Sequence, residues 1–174
     1  MDDYIQDFIR ESEENITELN NSLLALDEGL DPADVEVVAT DIDGEILEAA
    51  RRGVYRTTRT TDIAEQLSPL TRYGRFVDRD DDRFAVADRV QELVRFERHD
   101  LINDEPKADV DLVACRNLFI YINAEHKLPM LRTITRSLRV GGYLVIGKTE
   151  TLPEELKSDY EPVDKRLRIY RKLD

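Results

Sequence analysis

The sequence predicts an α/β fold in which a doubly wound, mostly parallel sheet is flanked by helices. Short apolar runs typical of buried strands alternate along the chain with segments of helical periodicity. Two of these runs, residues 35–40 and 110–115, are followed at once by polar side chains. In α/β folds that position is the sheet edge where ligands bind. The hydrophobic content of 41% in 174 residues is sufficient for a folded core.

Composition excludes several classes of function. The chain carries 38 acidic and 25 basic residues, a formal charge of −13, which disfavours binding to nucleic acid or to an anionic membrane. No apolar stretch reaches the roughly 18 to 20 residues of a membrane span, and the acidic N-terminus is unlike a secretory signal. A single cysteine allows no internal disulfide, and no Cys/His spacing indicates a metal site. We expect a cytoplasmic protein whose acidic surface is compatible with a halophilic origin.

The first segment, residues 1–30, predicts one amphipathic helix over residues 2–28. Asp2 and Asp3 would lie in its first turn, where the helix dipole favours acidic groups, and Gly29 and Pro32 would end it. Such a helix buries its apolar stripe only by packing on something else. The stripe consists of Ile5, Phe8, Ile9, Ile16, Leu19, Leu23 and Leu26.

The α/β segment, residues 35–174, begins with a β-type run over residues 35–40 and a helical pattern over residues 44–52. Gly53 closes that helix. Residues 55–100 are polar and rich in charge, with short strand-like pieces at residues 83–86 and 93–96. A small insertion on the α/β frame fits this stretch better than a second domain.

The C-terminal half continues the alternation after the strand at residues 110–115. A helix is predicted over roughly residues 124–138, with Pro129 expected to kink it or to delay its start. Gly141 and Gly142 predict a turn into a third strand over residues 143–147. The alternating residues 166–171 predict an edge strand that ends the domain.

Asp41 is the first candidate functional residue, because a carboxylate just past a buried parallel strand lies where ribose hydroxyls bind in nucleotide-binding folds. The alternative is that Asp41 and Asp43 are only turn or cap residues. For Asp43, which directly precedes the helical pattern, the N-cap interpretation is preferred.

Arg116 and Asn117 follow the strand at residues 110–115 and would bring polar groups to the same sheet edge. Asn117 is alternatively a helix cap. Cys115 is expected to be a small core residue, since nothing marks it as a nucleophile. His99 and His126 have no partner pattern and are expected on the surface or in loops.

Several segments resemble CheR-type chemotaxis protein-glutamate methyltransferases. Phe96–Leu101 is similar to the adenine-side segment of that family, and Asp111–Tyr121 to its Cys-Arg-Asn strand. Lys148 and Thr149 stand where the family usually has His and Ser. The matching segments, in family order, are residues 39–43 with 47–55, 96–101, 111–121 and 141–150.

The resemblance implies a Rossmann-like class I methyltransferase that transfers a methyl group from S-adenosylmethionine to glutamate side chains of chemoreceptors, leaving S-adenosylhomocysteine. Chemoreceptor cytoplasmic helices would be the partners, together with other chemotaxis proteins. The insertion at 55–100 resembles a small β-subdomain that docks a receptor tail in some members. By position, the resemblance implies Asp41 on the ribose, Asp100 and Leu101 near the adenine, Arg116 and Asn117 lining the cofactor pocket, and Tyr121 at the methyl-transfer site.

The resemblance does not extend upstream of Val35, where the family has a strand and a Gly-rich turn containing Thr-Gly-Glu-Glu. We therefore expect a sheet that lacks its first strand, and impaired catalysis. Residues 1–26 instead resemble the opening helix of the CheA chemotaxis histidine kinase, with a join near residues 27–34. A non-catalytic chemotaxis interaction module and an inactive gene-fusion fragment are the alternatives.

Overall fold

A computed structural model describes residues 36–59, 61–68 and 73–173 of the chain. The predicted N-terminal helix over residues 2–28, its likeness to a histidine kinase and the join near residues 27–34 lie outside the described residues. The chain divides into two compact units, Met1–His99 and Asp100–Asp174.

Helices and strands alternate through both units. In chain order, the elements are β1 (Val37–Asp41), α1 (Gly44–Arg51), β2 (Val54–Arg56), α2 (Ile63–Leu67), a 3-10 turn (Tyr73–Arg75), β3 (Val77–Asp80), β4 (Arg83–Val86), α3 (Asp88–Gln91), β5 (Val94–Arg98), β6 (Val110–Cys115), α4 (Ala124–Ser137), β7 (Leu138–Ile146), a second 3-10 turn (Glu154–Asp159), β8 (Tyr160–Asp164) and β9 (Ile169–Lys172).

The first unit contains a parallel strand pair and a small antiparallel sheet. β1 pairs with β5 in parallel, with Val37 opposite Val94 and Asp41 opposite Arg98. The strand-like piece predicted at residues 93–96 is therefore hydrogen-bonded to β1. The antiparallel sheet has the order β2-β4-β3. It shares an apolar core with α2 and α3, formed by Ile63, Leu67, Val77, Phe84, Val86 and Val90.

The second unit is built on a four-stranded sheet with the order β6-β7-β9-β8. β6 and β7 are parallel, whereas β9 runs antiparallel to both of its neighbours. Apolar residues of α4 share a core with alternate residues of β7, as the strand period of two requires. This core consists of Phe119, Met130, Leu131, Ile134, Leu138, Leu144, Ile146, Leu152, Leu156 and Tyr160.

The mixed α/β class predicted from the sequence is confirmed, and β6 has the predicted bounds. The helix predicted near residues 124–138 is α4, and it contains Pro129 without ending there. Gly141 and Gly142 do not form a turn before the strand. They lie within β7, which begins at Leu138, in an irregular stretch where Gly141 has a φ of +79°. Glycine adopts this left-handed conformation without strain, so the irregularity occurs inside the strand.

The prediction of an edge strand at residues 166–171 is wrong. β9 lies between β7 and β8, so it is an inner strand, and β8 is the edge. No apolar run predicts β8, because its residues are mostly exposed and include Pro162. Proline lacks a backbone donor and is tolerated mainly in edge strands, in agreement with this position.

A sheet without its first strand is predicted either to pair the strands that end at Asp41 and Cys115 directly or to leave their edges open. Among the described residues, β1 pairs with β5, and β6 pairs with β7. β6 is thus an edge strand in the part of the chain that the structure describes. A Rossmann-like sheet lacking its first strand stays a prediction.

Leu144 offers a direct test of the core of the second unit. Its side chain is fully buried, with 0% exposure. We expect Leu144→Ala to lower the free energy of unfolding by about 2–5 kcal/mol, because the lost methyl groups leave a cavity. Leu112→Ala, at a position 51% exposed on the neighbouring strand, serves as the control and should cost under about 1 kcal/mol. Urea unfolding measures both values, and equal losses would contradict the described packing.

Candidate functional site

The carboxyl end of β1 places two acidic side chains in consecutive turns. Asp41 is the last residue of β1, is half-buried, and accepts the N–H of Asp43 on Oδ1 at 2.8 Å. Asp43 in turn accepts the N–H of Glu45 at 2.8 Å as the N-cap of α1, which confirms its predicted role. One oxygen of Asp41 therefore serves the local turn. Within the described ranges, Oδ2 of Asp41 accepts no hydrogen bond and is available to a ligand.

His99 lies beside this strand end and was not expected there. It follows β5 directly, and its backbone N–H donates to the carbonyl oxygen of Asp41 at 3.0 Å. His99 lies in the loop after β5, which agrees with the expected surface or loop position, but it is only 8% exposed and is therefore not on the surface. Parallel pairing explains its burial, since the chain leaves β5 alongside the end of β1. His126 is exposed, as expected.

The carboxyl end of β6 leads into a loop that carries Arg116 and Asn117, both half-buried. Asn117 adopts a left-handed backbone with a φ of +57°, a conformation that asparagine tolerates better than most residues. The helix-cap alternative for Asn117 is excluded, because α4 begins at Ala124 with Asn123 before it. Cys115 packs partly buried against the core of the second unit, which confirms its expected structural role.

Glu150 joins this loop to the end of β7. Glu150 has an ionisable side chain, yet the residue is only 5% exposed. Oε2 accepts the N–H of Gly147 at 2.6 Å and the N–H of Asn117 at 3.0 Å. Oε1 accepts the N–H of Phe119 at 2.7 Å. Hydrogen bonds to a charged acceptor are stronger than neutral ones, so three of them compensate the burial of this carboxylate.

Gly147 is packed so closely that it has no room for a side chain. A Cβ there would lie 2.3 Å from Oδ1 of Asn117, 2.8 Å from Oε2 of Glu150 and 2.9 Å from the backbone nitrogen of Asn117. The ends of β6 and β7 are thus in direct contact through a glycine, an asparagine and a buried glutamate. Two strand ends held this rigidly form a scaffold for the side chains that project from them.

Asp100 and Leu101 open the second unit. The Asp100 carboxylate accepts the N–H groups of Ile102 and Asn103, and also the Asn103 amide at 2.8 Å. Its oxygens are thus engaged in its own turn. Leu101 packs partly buried against the core of the second unit.

Tyr121 follows the loop at the end of β6, and its N–H donates to the carbonyl oxygen of Leu118 at 3.3 Å. The residue is 41% exposed, so a large part of its ring is accessible to a ligand. Of the six predicted site residues, the second unit contains Asp100, Leu101, Arg116, Asn117 and Tyr121. Asp41 lies in the first unit.

Glu150 and Gly147 were not among the predicted site residues. A polar residue just past a buried strand distinguished Asp41 and Arg116, but after β7, which ends at Ile146, this feature points first to Lys148 and Thr149. Glu150 is the last residue of the family-like segment 141–150, which is the signal in the sequence that includes it. Its contact with the loop after β6 would not have been found, because those residues are 31 and 33 positions away in sequence.

The described part of the chain contains neither a metal-type cluster of side chains nor a helix able to span a membrane. Residues 36–59, 61–68 and 73–173 contain no group of His, Cys, Asp or Glu side chains suited to a metal ion. None of the helices described in these ranges has the length and apolar character needed to cross a membrane.

Comparison with known proteins gives a consistent result. The sequence model of the family described as "CheR methyltransferase, SAM binding domain" matches residues 18–169. The match begins upstream of Val35, which corrects the expectation that the family resemblance ends there. The chain is 38% identical over 125 residues to a chemotaxis protein methyltransferase of Vibrio parahaemolyticus, covering 71% of this chain and 44% of that protein. It is 37% identical over 134 residues to chemotaxis protein methyltransferase 1 of Pseudomonas aeruginosa, covering 75% of this chain and 47% of that protein.

A third relative is a chemotaxis protein methyltransferase of Listeria monocytogenes, 34% identical over 117 residues, covering 67% of this chain and 43% of that protein. The chain thus spans less than half the length of these relatives. Among solved structures, a TehB-like SAM-dependent methyltransferase from Corynebacterium glutamicum has 16% identity and a TM-score of 0.43, covering 79% of this chain and 66% of that chain.

Gly147→Ala tests the contact between the two strand ends. The added Cβ meets backbone as well as side-chain atoms, so we expect a loss of about 1–3 kcal/mol in the free energy of unfolding. Gly44→Ala is the matched control, because a Cβ there meets nothing within 4 Å. The control should leave stability unchanged or slightly raised, by up to about 1 kcal/mol. Thermal unfolding of both variants gives the answer, and a neutral Gly147→Ala would refute the close packing.

Proposed function

Because the chain belongs to the CheR methyltransferase family, with S-adenosylmethionine as its cofactor, we propose that it acts in methyl transfer to glutamate side chains of chemoreceptors. The observation that carries this proposal is the match of the SAM-binding domain of the family over residues 18–169. Relatives named as chemotaxis protein methyltransferases support the chemotaxis context.

The proposed reaction is an in-line displacement. A bond forms between a carboxylate oxygen of the receptor glutamate and the methyl carbon, while the bond from that carbon to sulfur breaks. The products are a glutamate methyl ester and S-adenosylhomocysteine. S-Adenosylmethionine supplies an activated methyl group on a positively charged sulfur, so the protein contributes mainly by positioning the reactants and excluding water.

Asp41 is proposed to bind the ribose hydroxyls of the cofactor. Its position supports this role, since a carboxylate at the carboxyl end of a parallel strand is a common acceptor for ribose in α/β folds. Its chemistry supports it too: Oδ1 holds the turn through the N–H of Asp43, and Oδ2 remains to accept a hydroxyl. The residue therefore fits the cofactor without giving up its local structural contact.

The remaining contacts are proposed for the second unit. Arg116 and Asn117 would line the cofactor pocket, as their place at the carboxyl end of β6 allows. Leu101 offers an apolar surface near the adenine, next to Asp100. Tyr121 has an accessible ring and is proposed to lie at the methyl-transfer site.

The proposed partners are the cytoplasmic helices of chemoreceptors, which would place the protein in the cytoplasm. The insertion at 55–100 is proposed to dock a receptor segment. Supporting this, β3 exposes the charged residues Asp78, Arg79 and Asp80 in succession. Exposed charges of both signs on a sheet edge suit a polar contact with another chain.

Transfer of a radioactive methyl group tests the proposal. The chain is incubated with methyl-labelled S-adenosylmethionine and a receptor cytoplasmic fragment, and base-labile label on receptor glutamates is measured. Labelled ester is the expected result. Bound cofactor without any transfer would overturn the methyl-transfer proposal, and comparison with the rate of a full-length relative tests the expected impairment of catalysis.

Asp41→Asn separates ribose binding from the local turn. The variant keeps an oxygen for the N–H of Asp43 but replaces the second oxygen with an amide donor. Loss of hydrogen bonds to a charged acceptor, worth about 1.5–3 kcal/mol, predicts roughly 10- to 100-fold weaker binding of S-adenosylmethionine. Asp43→Asn is the matched control, since it changes the charge equally and asparagine still caps a helix. Calorimetric titration of both variants measures the affinities, and equal affinities would exclude the proposed ribose contact.

A further inference from the structure

We propose that Glu150 is a positioning residue of the cofactor site, which fixes the loop after β6 so that Arg116 and Asn117 are correctly oriented. The inference rests on the proposed function, because it assigns those two residues to the cofactor. Glu150 itself acts through the backbone and need not touch the cofactor.

The hydrogen bonds of Glu150 join two separate segments of the chain. A single carboxylate accepts one N–H from its own turn, at Gly147, and two from the loop after β6, at Asn117 and Phe119. The carbonyl oxygen of Gly147 in turn accepts the N–H of Glu150 at 2.9 Å. Gly147 and Glu150 therefore exchange two hydrogen bonds across the turn. The Glu150 carboxylate also bonds a segment more than 30 residues away in sequence.

The N–H groups that Glu150 binds lie at the ends of two paired strands. In the β6–β7 register, Cys115 lies opposite Ile146, so the chain leaves both strands side by side. The tethered N–H groups belong to Asn117 itself and to the residue two positions later. Asn117 has a left-handed backbone as well as this hydrogen bond. Its backbone conformation is therefore restricted, and its side chain is the one proposed to line the cofactor pocket. Arg116 is held between β6 on one side and the tethered residue on the other.

The chemistry of the position favours a carboxylate over an amide. All three partners of the Glu150 side chain are donors, so the position requires an acceptor at both ends of the carboxylate. Glutamine has almost the same shape but only one acceptor oxygen, and its amide nitrogen would face a donor. Glu150→Gln therefore removes at least one hydrogen bond without creating a cavity. Glu155→Gln provides the matched control, because Glu155 is exposed and lies five residues after Glu150 in the chain.

The experiment combines cofactor titration with amide hydrogen exchange on the full chain. We expect Glu150→Gln to bind S-adenosylmethionine about tenfold more weakly than Glu155→Gln, since a hydrogen bond to a charged group is lost. Exchange at Asn117 and Phe119 should accelerate by a similar factor, whereas exchange at Leu144 in the core should be unchanged. A purely structural role would instead accelerate exchange at Leu144 together with the loop.

Each outcome bears on a different statement. Equal cofactor affinity in the two variants, with binding by the unaltered chain, would overturn the inference and leave the proposed function intact. Absence of binding by the unaltered chain would overturn the proposed function and the cofactor part of this inference. If Glu150→Gln fails to fold, exchange in the unaltered chain decides, since unprotected amides at Asn117 and Phe119 would overturn the tether.

Discussion

The buried carboxylate of Glu150 is the interaction on which the described site in the second unit depends. It takes three backbone N–H groups from the ends of two adjacent parallel strands and leaves none of them without an acceptor. Backbone donors that are buried without an acceptor are costly, so the loop after β6 is most stable when it lies against the turn after β7. Gly147 makes this approach possible, because any side chain there would collide with Asn117.

Carboxylates also accept backbone N–H groups at the end of β1 in the first unit. There, Asp41 and Asp43 accept N–H groups within two residues, so each carboxylate shapes the turn in which it lies. The two cases differ in sequence separation. The aspartates bind N–H groups two residues away, whereas Glu150 connects segments that are distant in sequence. Strand ends in both units thus carry carboxylates that accept backbone N–H groups close to residues proposed to contact the cofactor.

Much of the fold could be predicted from the sequence because local patterns determine it. Apolar runs identified β6, and helical spacing identified α4. A carboxylate directly before a helix identified the N-cap role of Asp43. These features depend on residues close together in the chain, where periodicity and capping chemistry are informative.

The rest depends on pairing between distant segments, which local patterns do not report. The position of β9 as an inner strand requires β8, whose exposed residues and proline resemble a loop. Burial of His99 follows from the pairing of β5 with β1, and the role of Glu150 follows from the loop after β6. Candidate site residues on strand ends could therefore be predicted by type and position, but the backbone contacts around them could not.

A nitrogen-15 amide chemical-shift titration of the full chain with S-adenosylmethionine tests the proposed cofactor contacts most directly. We expect shift changes concentrated at Asp41 to Asp43 and at Arg116 and Asn117, with little change in β3 of the insertion. Saturating cofactor that leaves both strand ends unperturbed, or that perturbs only residues elsewhere, would contradict the assignment of the cofactor to these strand ends.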